Sequence, residues 1–148
     1  MARVSLLFGP TVAGRPAFFD EQIRKLGAGE RLVCFADEWR TPLSFVAAAR
    51  ALLALARSQV EGLLHIGGPE RLSRLEMATR LAAHLGADTG LLVASSRASA
   101  GGEPRPRDTS LNASRWRGLF PEVPWPGFEE SLRELGIPAR GILHGPGV

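Results

Sequence analysis

The chain has 148 residues, of which 45% are hydrophobic and 22% are charged. This length and composition are typical of one globular domain with its own core, and they exclude a disordered or fibrous protein. The formal net charge is +3, but the basic residues are scattered among 15 acidic ones, which argues against a nucleic-acid partner. No apolar stretch approaches about 18 residues and the start lacks a signal-peptide pattern, so we predict a cytoplasmic protein without membrane contact.

An apolar run from Val4 to Phe8 predicts the first strand. Gly9 and Gly14 follow with the glycine spacing of a phosphate-binding P-loop, G-x-x-x-x-G-K-[ST]. Arg15 stands at the lysine position and Pro16 at the hydroxyl position, and proline offers neither a hydroxyl to a metal nor an N–H to a phosphate. We therefore predict a buried strand that ends in a turn, rather than a triphosphate site.

Short apolar runs alternate with helical patterns along the rest of the chain, which favours an α/β fold. Further strands are predicted at residues 31–35, 62–66 and 91–95, and helices at residues 17–26, 42–57, 73–85, 115–120 and 128–135. Ser73 and Glu76 form a capping box that marks the start of the third helix. The second helix begins near Pro42 and is nearly apolar all round, so we expect it to be deeply packed.

Two segments lack such patterns. Residues 95–108 are small, polar and rich in glycine and proline, which predicts an exposed loop. Residues 137–148 are predicted to form a flexible tail.

The exposed loop contains two candidate ligand-binding residues, Arg105 and Arg107, in the sequence EPRPRD. Flanking prolines hold them in an extended conformation, which reduces the entropy lost when a guanidinium grips a phosphate. A solvated loop is an equally good interpretation of the same residues. Trp39 and Arg40 are predicted on another loop, where an exposed tryptophan is less typical of a core.

Phe18 and Phe19 could stack on a base or a sugar, although their helical spacing with Ile23 is more often that of core residues. The turn GGPERLSRLE could attract an anion at the start of its helix, but a simple strand-to-helix turn is the favoured interpretation. Cys34 is the single cysteine, so no disulfide framework is possible. The histidines show no metal-ligand spacing, and we predict no metal site: His65, His84 and His144.

Several segments together resemble one family. RVSLLFGP, FADEWRTPLSFVAAARALLAL, GLLHIGGPERLSRLEMATRLAAHLG and RPRDTSLNASRW occur in the order found in the C-terminal half of dTDP-4-dehydrorhamnose reductases. These are extended short-chain dehydrogenase/reductases that act on sugar nucleotides. The resemblance covers residues 3–135, and its most specific parts are GGPERLSRLE and RPRD-x-SL.

The resemblance implies an α/β substrate-binding lobe with short strands and about five helices at residues 1–136, without the N-terminal Rossmann half. The glycines after the first strand would then form the turn that leaves the Rossmann sheet. The family's G-x-x-G-x-x-G fingerprint and Tyr-x-x-x-Lys pair are missing, since the sequence has no tyrosine and Lys25 is its only lysine. The resemblance thus implies no catalytic or cofactor-binding residue in this chain, and NADPH or NADH would bind only with a Rossmann half.

The ligand implied by the resemblance is a nucleotide-sugar, with Arg105 on its phosphates and Arg40, Phe18 and Phe19 as lesser candidates near the cleft. The family's reaction is the NAD(P)-dependent reduction of 4-keto sugar nucleotides in dTDP-rhamnose biosynthesis, and whether this chain takes part in catalysis is left open. A separate Rossmann-containing chain or a second copy is the expected protein partner. The alternatives are a non-catalytic module that regulates an enzyme, or a gene fragment without function.

Overall fold

The computed structural model describes residues 1–11, 14, 16–99 and 106–139. These residues form an α/β domain with five α-helices, as predicted. In chain order the elements are β1 (Ala2–Val4), β2 (Leu7–Phe8), α1 (Phe18–Gly27), β3 (Leu32–Phe35), β4 (Trp39–Arg40), β5 (Leu43–Ser44), α2 (Phe45–Ala56), β6 (Leu64–Ile66), β7 (Leu72–Ser73), α3 (Arg74–Leu85), β8 (Leu92–Ser95), α4 (Ser114–Leu119) and α5 (Phe128–Glu134), with one-turn 3-10 helices at Thr89–Leu91 and Arg97–Ser99.

The strands form four pairs. β1 pairs with β6, β2 with β5 and β3 with β8, all in parallel, while β4 and β7 are antiparallel. The single strand predicted from Val4 to Phe8 is wrong, because the chain changes partner within it. The Ser5 N–H donates to the Ile66 carbonyl, whereas the Leu6 carbonyl accepts from the Leu43 N–H.

The apolar side chains form two cores. The first lies between α1, α3, α5 and β3, where the Phe8 ring packs against Phe19 at 5.6 Å and Phe128 at 4.8 Å between centroids. In the second, α2 and α4 pack with β1 and β6, and Trp116 stacks on Phe120 at 4.4 Å. In the part of the chain that the structure describes, no helix is long and apolar enough to cross a bilayer.

Helix α2 corrects two predictions. It begins at Phe45 rather than near Pro42, because Leu43 and Ser44 pair with β2 and the Ser44 hydroxyl caps the helix by accepting from the Ala47 N–H at 3.2 Å. It is also not deeply packed all round. Only one side enters the second core, and Leu52 and Leu53 remain 41% and 58% exposed.

Helix α3 has the predicted capping box. The Ser73 hydroxyl accepts from the Glu76 N–H at 3.1 Å, and the Glu76 carboxylate accepts from the Ser73 N–H at 2.7 Å. Gly86 ends the helix in the left-handed conformation at φ +72°.

Ile137, which the sequence places in the flexible tail, is buried in the first core. Its carbonyl accepts a hydrogen bond of 2.9 Å from His84 Nε2 on α3. The ordered domain therefore includes this residue, and residues 140–148 of the predicted tail lie outside the described residues.

The capping box predicts the first measurement. Ser73→Ala should lower the free energy of unfolding by about 1 kcal/mol in urea denaturation, because the Glu76 N–H loses its acceptor at a buried helix start. Thr79→Ala is the matched control, since this exposed hydroxyl in mid-helix donates to the Leu75 carbonyl and alanine favours a helix. Equal losses in the two variants would contradict the cap's role.

Candidate functional site

Three segments that the sequence singled out meet at Trp39. Its N–H donates to the Arg107 carbonyl at 2.8 Å, and its carbonyl accepts from the Thr109 N–H at 3.2 Å. On its other edge Trp39 pairs with Ser73 of β7. The loop predicted at Trp39 is therefore wrong: the residue lies in a strand that holds DEWR, PERLSR and RPRD side by side.

An exposed ion pair between Arg71 and Asp108 joins two of these three segments. Arg71 lies 4.1 Å above the centroid of the Trp39 ring, and its Nη2 and Nε donate to Asp108 Oδ2 at 2.6 and 3.1 Å. The Ser110 hydroxyl and N–H, and then Arg71, hold the pKa of Asp108 well below its usual range. Sequence reasoning missed Arg71 and Asp108 as a pair, although both lie inside the two most specific segments.

Beneath Trp39 lies a buried charge cluster. Glu38 is 2% exposed, and its Oε2 lies 3.3 Å from Arg40 Nη2 and 3.6 Å from Arg74 Nε. Arg40 Nη1 also donates to the Trp39 carbonyl at 2.6 Å. Within the described ranges, Glu38 Oε1 has no hydrogen-bond partner.

Two cavities flank the ring of Phe18, which is 39% exposed. The first, here the loop cavity, has a volume of about 240 Å³ and is lined by the loop after β2 and by Phe45. The second, here the arginine cavity, has a volume of about 220 Å³ and is lined by Gln22, Phe35 and Glu38 together with Arg74. Arg74 lies 4.9 Å from the centroid of the Phe18 ring, so the ring presents one aromatic face beside a positive charge.

Hydrogen bonds or burial fix the positions of residues that line each cavity. The Asp20 carboxylate accepts from the Thr11 hydroxyl, the Thr11 N–H at 2.9 Å and the Ala17 N–H at 2.9 Å, and the hydroxyl is the main cause of its lowered pKa. Cys34 lines the arginine cavity but is almost fully buried, and burial raises the pKa of its thiol.

Comparison with known proteins gives this arrangement a family. The sequence model of the family described as "RmlD substrate binding domain" matches residues 1–136. The chain belongs to this family. No curated protein matches the sequence.

Solved structures share the fold of this RmlD-family chain. One is the dTDP-4-dehydrorhamnose reductase of Bacillus anthracis str. Ames in complex with NADP, which is 20% identical in sequence and superposes with a TM-score of 0.78. The match covers 92% of this chain and 47% of the reductase chain. A hypothetical dTDP-4-dehydrorhamnose reductase from Sulfolobus tokodaii is 24% identical with a TM-score of 0.72, over 87% and 45% of the chains. The UDP-glucose 4-epimerase of Thermotoga maritima with UDP-glucose is 17% identical with a TM-score of 0.70, over 89% and 42%. The chain spans less than half the length of each.

The four residues proposed from sequence lie in different environments within this RmlD-family fold. Phe18 borders both cavities. Phe19, the next residue, is 1% exposed and packs in the first core, and it also contributes to the lining of the loop cavity. Arg40 is 9% exposed and engaged by Glu38, and Arg105 lies outside the described residues.

Two of the turn glycines lie close to other parts of the chain. A Cβ on Gly9, at φ +145°, would lie 2.1 Å from the ring of Phe45, and a Cβ on Gly68 would lie 1.9 Å from the Pro42 carbonyl oxygen. Both glycines thus allow a close approach of protein atoms, at Phe45 and at Pro42. The described residues do not contain a group of three or more His, Cys, Asp or Glu side chains that could hold a metal ion.

The lowered pKa of Asp108 predicts a pH dependence of stability. Because Ser110 and then Arg71 depress the pKa of Asp108 in the folded protein, the ionised carboxylate contributes stability above the unfolded value of about 4, and this contribution is lost as the pH falls towards the folded value. Asp108→Asn should therefore lower the melting temperature at pH 7, and its difference from the wild type should shrink on acidification below pH ~4.

Asp88→Asn serves as the control for this titration. Asp88 is exposed and caps the 3-10 turn at Gly90, and an asparagine there keeps the cap. If the melting temperatures of the wild type and of Asp108→Asn differ by the same amount at pH 7 and at pH ~3, Asp108 is not the source of the pH dependence.

Proposed function

We propose that this chain is the sugar-nucleotide-binding portion, corresponding to the C-terminal half, of a dTDP-4-dehydrorhamnose reductase-like NAD(P)-dependent oxidoreductase. The observation that carries the proposal is the half-exposed Phe18 ring, which borders two cavities beside Arg74 in an RmlD-family fold. The matched structures that contain NADP or UDP-glucose support the ligand class by analogy.

The two cavities suit the parts of a nucleotide-sugar rather than one compact ligand. Each is smaller than the roughly 300–1,000 Å³ of a complete pocket for a drug-sized ligand, so each takes one moiety. The partly exposed ring of Phe18 offers a stacking surface for a base, and Gln22 in the lining of the arginine cavity offers both donors and acceptors to a base edge.

The phosphates are assigned to the RPRD segment. The Trp39 N–H donates to the Arg107 carbonyl, and the side chain of Arg107 is exposed. Arg105 has the same proline-flanked pattern in the sequence. Arg40 is the weaker candidate, because its guanidinium already neutralises the buried Glu38 carboxylate. Phe19 contributes by packing, since its ring forms the core behind Phe18.

The proposal assigns binding and no catalytic step to these residues. The sequence contains no tyrosine, and Lys25, its only lysine, lies on α1 near Glu21. Proton donation to a keto sugar and hydride transfer from NADPH or NADH would need a segment with a dinucleotide site. Consumption of NADPH by the purified 148 residues with a dTDP-4-keto sugar would overturn this point.

Calorimetry with dTDP-glucose tests the proposed base site. The chain should bind the nucleotide-sugar with micromolar affinity, and Phe18→Ala should weaken binding about tenfold, because a base that loses its stacking surface loses about 1–3 kcal/mol. Leu119→Ala is the matched control, since this exposed leucine lies on α4, outside both cavities. Unchanged affinity in Phe18→Ala would exclude the arginine and loop cavities as the base site.

A second calorimetric series separates phosphate contacts from base contacts. Arg105→Gln and Arg107→Gln should weaken dTDP binding several-fold and leave thymidine binding unchanged, because only dTDP carries phosphates. Arg133→Gln, in the last turn of α5, is the control for the loss of one positive charge. An equal effect on thymidine would show that the RPRD arginines act through the fold instead.

A non-catalytic interaction module is the second candidate, and the exposed leucines of α2 favour it. The two candidates differ in one result. Absence of binding heat with dTDP-glucose, UDP-glucose and NADPH, together with co-elution with a protein partner, would favour the module over the ligand-binding portion.

A further inference from the structure

The arginine cavity has a buried carboxylate in its wall. Glu38 lines the cavity together with Phe18, Gln22 and Arg74, and it is only 2% exposed. Its Oε2 lies 3.3 Å from Arg40 Nη2 and 3.6 Å from Arg74 Nε, whereas no group in the described ranges hydrogen-bonds to Oε1. Because a buried carboxylate oxygen without a donor is costly, this wall suits a ligand that brings an N–H group.

The charges around Glu38 decide which kind of N–H group fits. The cluster holds two guanidinium groups against one carboxylate, so positive charge is in excess. This excess repels an ammonium group or a metal cation and favours a neutral N–H donor. Arg74 lines the same cavity, and a guanidinium offers only donors, which favours a carbonyl oxygen on the same ligand. The matching ligand edge therefore combines neutral N–H groups with a carbonyl oxygen.

Among the nucleobases, guanine presents this combination best. Its base-pairing edge carries the N1–H and an N2–H side by side, next to the O6 carbonyl. Thymine and uracil hold their single N–H between two carbonyl oxygens, which a carboxylate repels. Cytosine and adenine place a ring nitrogen that accepts hydrogen bonds beside their amino group, so a carboxylate there meets another acceptor.

We propose that the arginine cavity selects guanine, so that the preferred ligand of this chain is a guanosine-diphosphate sugar. Glu38 Oε1 accepts from N1–H and N2–H of the base, and Arg74 donates to O6. Glu38 is thus the residue that determines base specificity, and dTDP-glucose is a weaker ligand of the same site. This inference rests on the proposed function, because it names the base of the nucleotide-sugar proposed there.

A series of glucose nucleotides tests the selectivity with the unaltered full chain. Calorimetry compares GDP-glucose with dTDP-glucose, UDP-glucose, CDP-glucose and ADP-glucose, which share the sugar and the diphosphate. UDP-glucose controls for the ribose 2′-hydroxyl that dTDP-glucose lacks. We expect GDP-glucose to bind about tenfold more tightly than each of the others, because only guanine gives the carboxylate two adjacent N–H groups. IDP should bind about fivefold more weakly than GDP, since its base lacks the N2 amino group.

The variant Glu38→Gln locates the selectivity. The amide keeps the shape of the side chain but replaces one oxygen with a donor, so GDP-glucose and dTDP-glucose should bind within about twofold of each other. Glu122→Gln, at an exposed residue outside both cavities, should keep the preference for GDP-glucose. Circular dichroism checks that each variant folds, and the nucleotide series on the unaltered chain decides the proposal if Glu38→Gln does not fold.

The outcomes separate this inference from the proposed function. Absence of binding by every glucose nucleotide would reject the nucleotide-sugar site and the guanine assignment together. If dTDP-glucose or any other member of the series binds at least as tightly as GDP-glucose, the guanine assignment alone is overturned. Equal affinities for GDP and IDP would overturn it as well. A preference for GDP-glucose that persists in folded Glu38→Gln would exclude Glu38 as the residue that sets it.

Discussion

The organisation of the site depends on the backbone pairing of β4, which contains Trp39, on both of its edges. One edge of this two-residue strand binds β7 and the other binds residues 107–109, so three segments distant in sequence become neighbours. The hydrogen bonds are ordinary in strength, but each forms only when the others have placed its partner. Arg71 and Asp108 then close the junction, and the start of α3 is set at Ser73, which brings Arg74 to the ring of Phe18.

Burial divides the arginines of this region into two roles. Glu38 is withdrawn from water, and removal of a carboxylate from water is costly unless positive charges lie close to it. Arg40 and Arg74 supply those charges at 3.3 and 3.6 Å. These two guanidinium groups therefore maintain the fold first, whereas Arg107 has a hydrogen-bonded backbone and a solvent-exposed side chain.

Local signals in the sequence predicted the helices well and the junction poorly. The capping box of α3 and the periodicity of α1 act over a few residues, and both were found in the structure. The strands β4, β5 and β7 have two residues each and exist only through their partners, so no local pattern marks them. The pair Arg71–Asp108 spans 37 positions. Phe18 and Phe19 are chemically alike, and the position of the first core decides which of the two rings is exposed to solvent.

The reactivity of the single thiol, Cys34, can report local opening of the fold around β3. Cys34 sits on β3 between α1 and α3, nearly closed off from water and held in its neutral form by burial. Since alkylating reagents react with the thiolate, modification has to wait until this layer parts. The rate of alkylation at the Cys34 sulfur thus reports how often the packing of α1 and α3 against β3 opens, without any engineered probe.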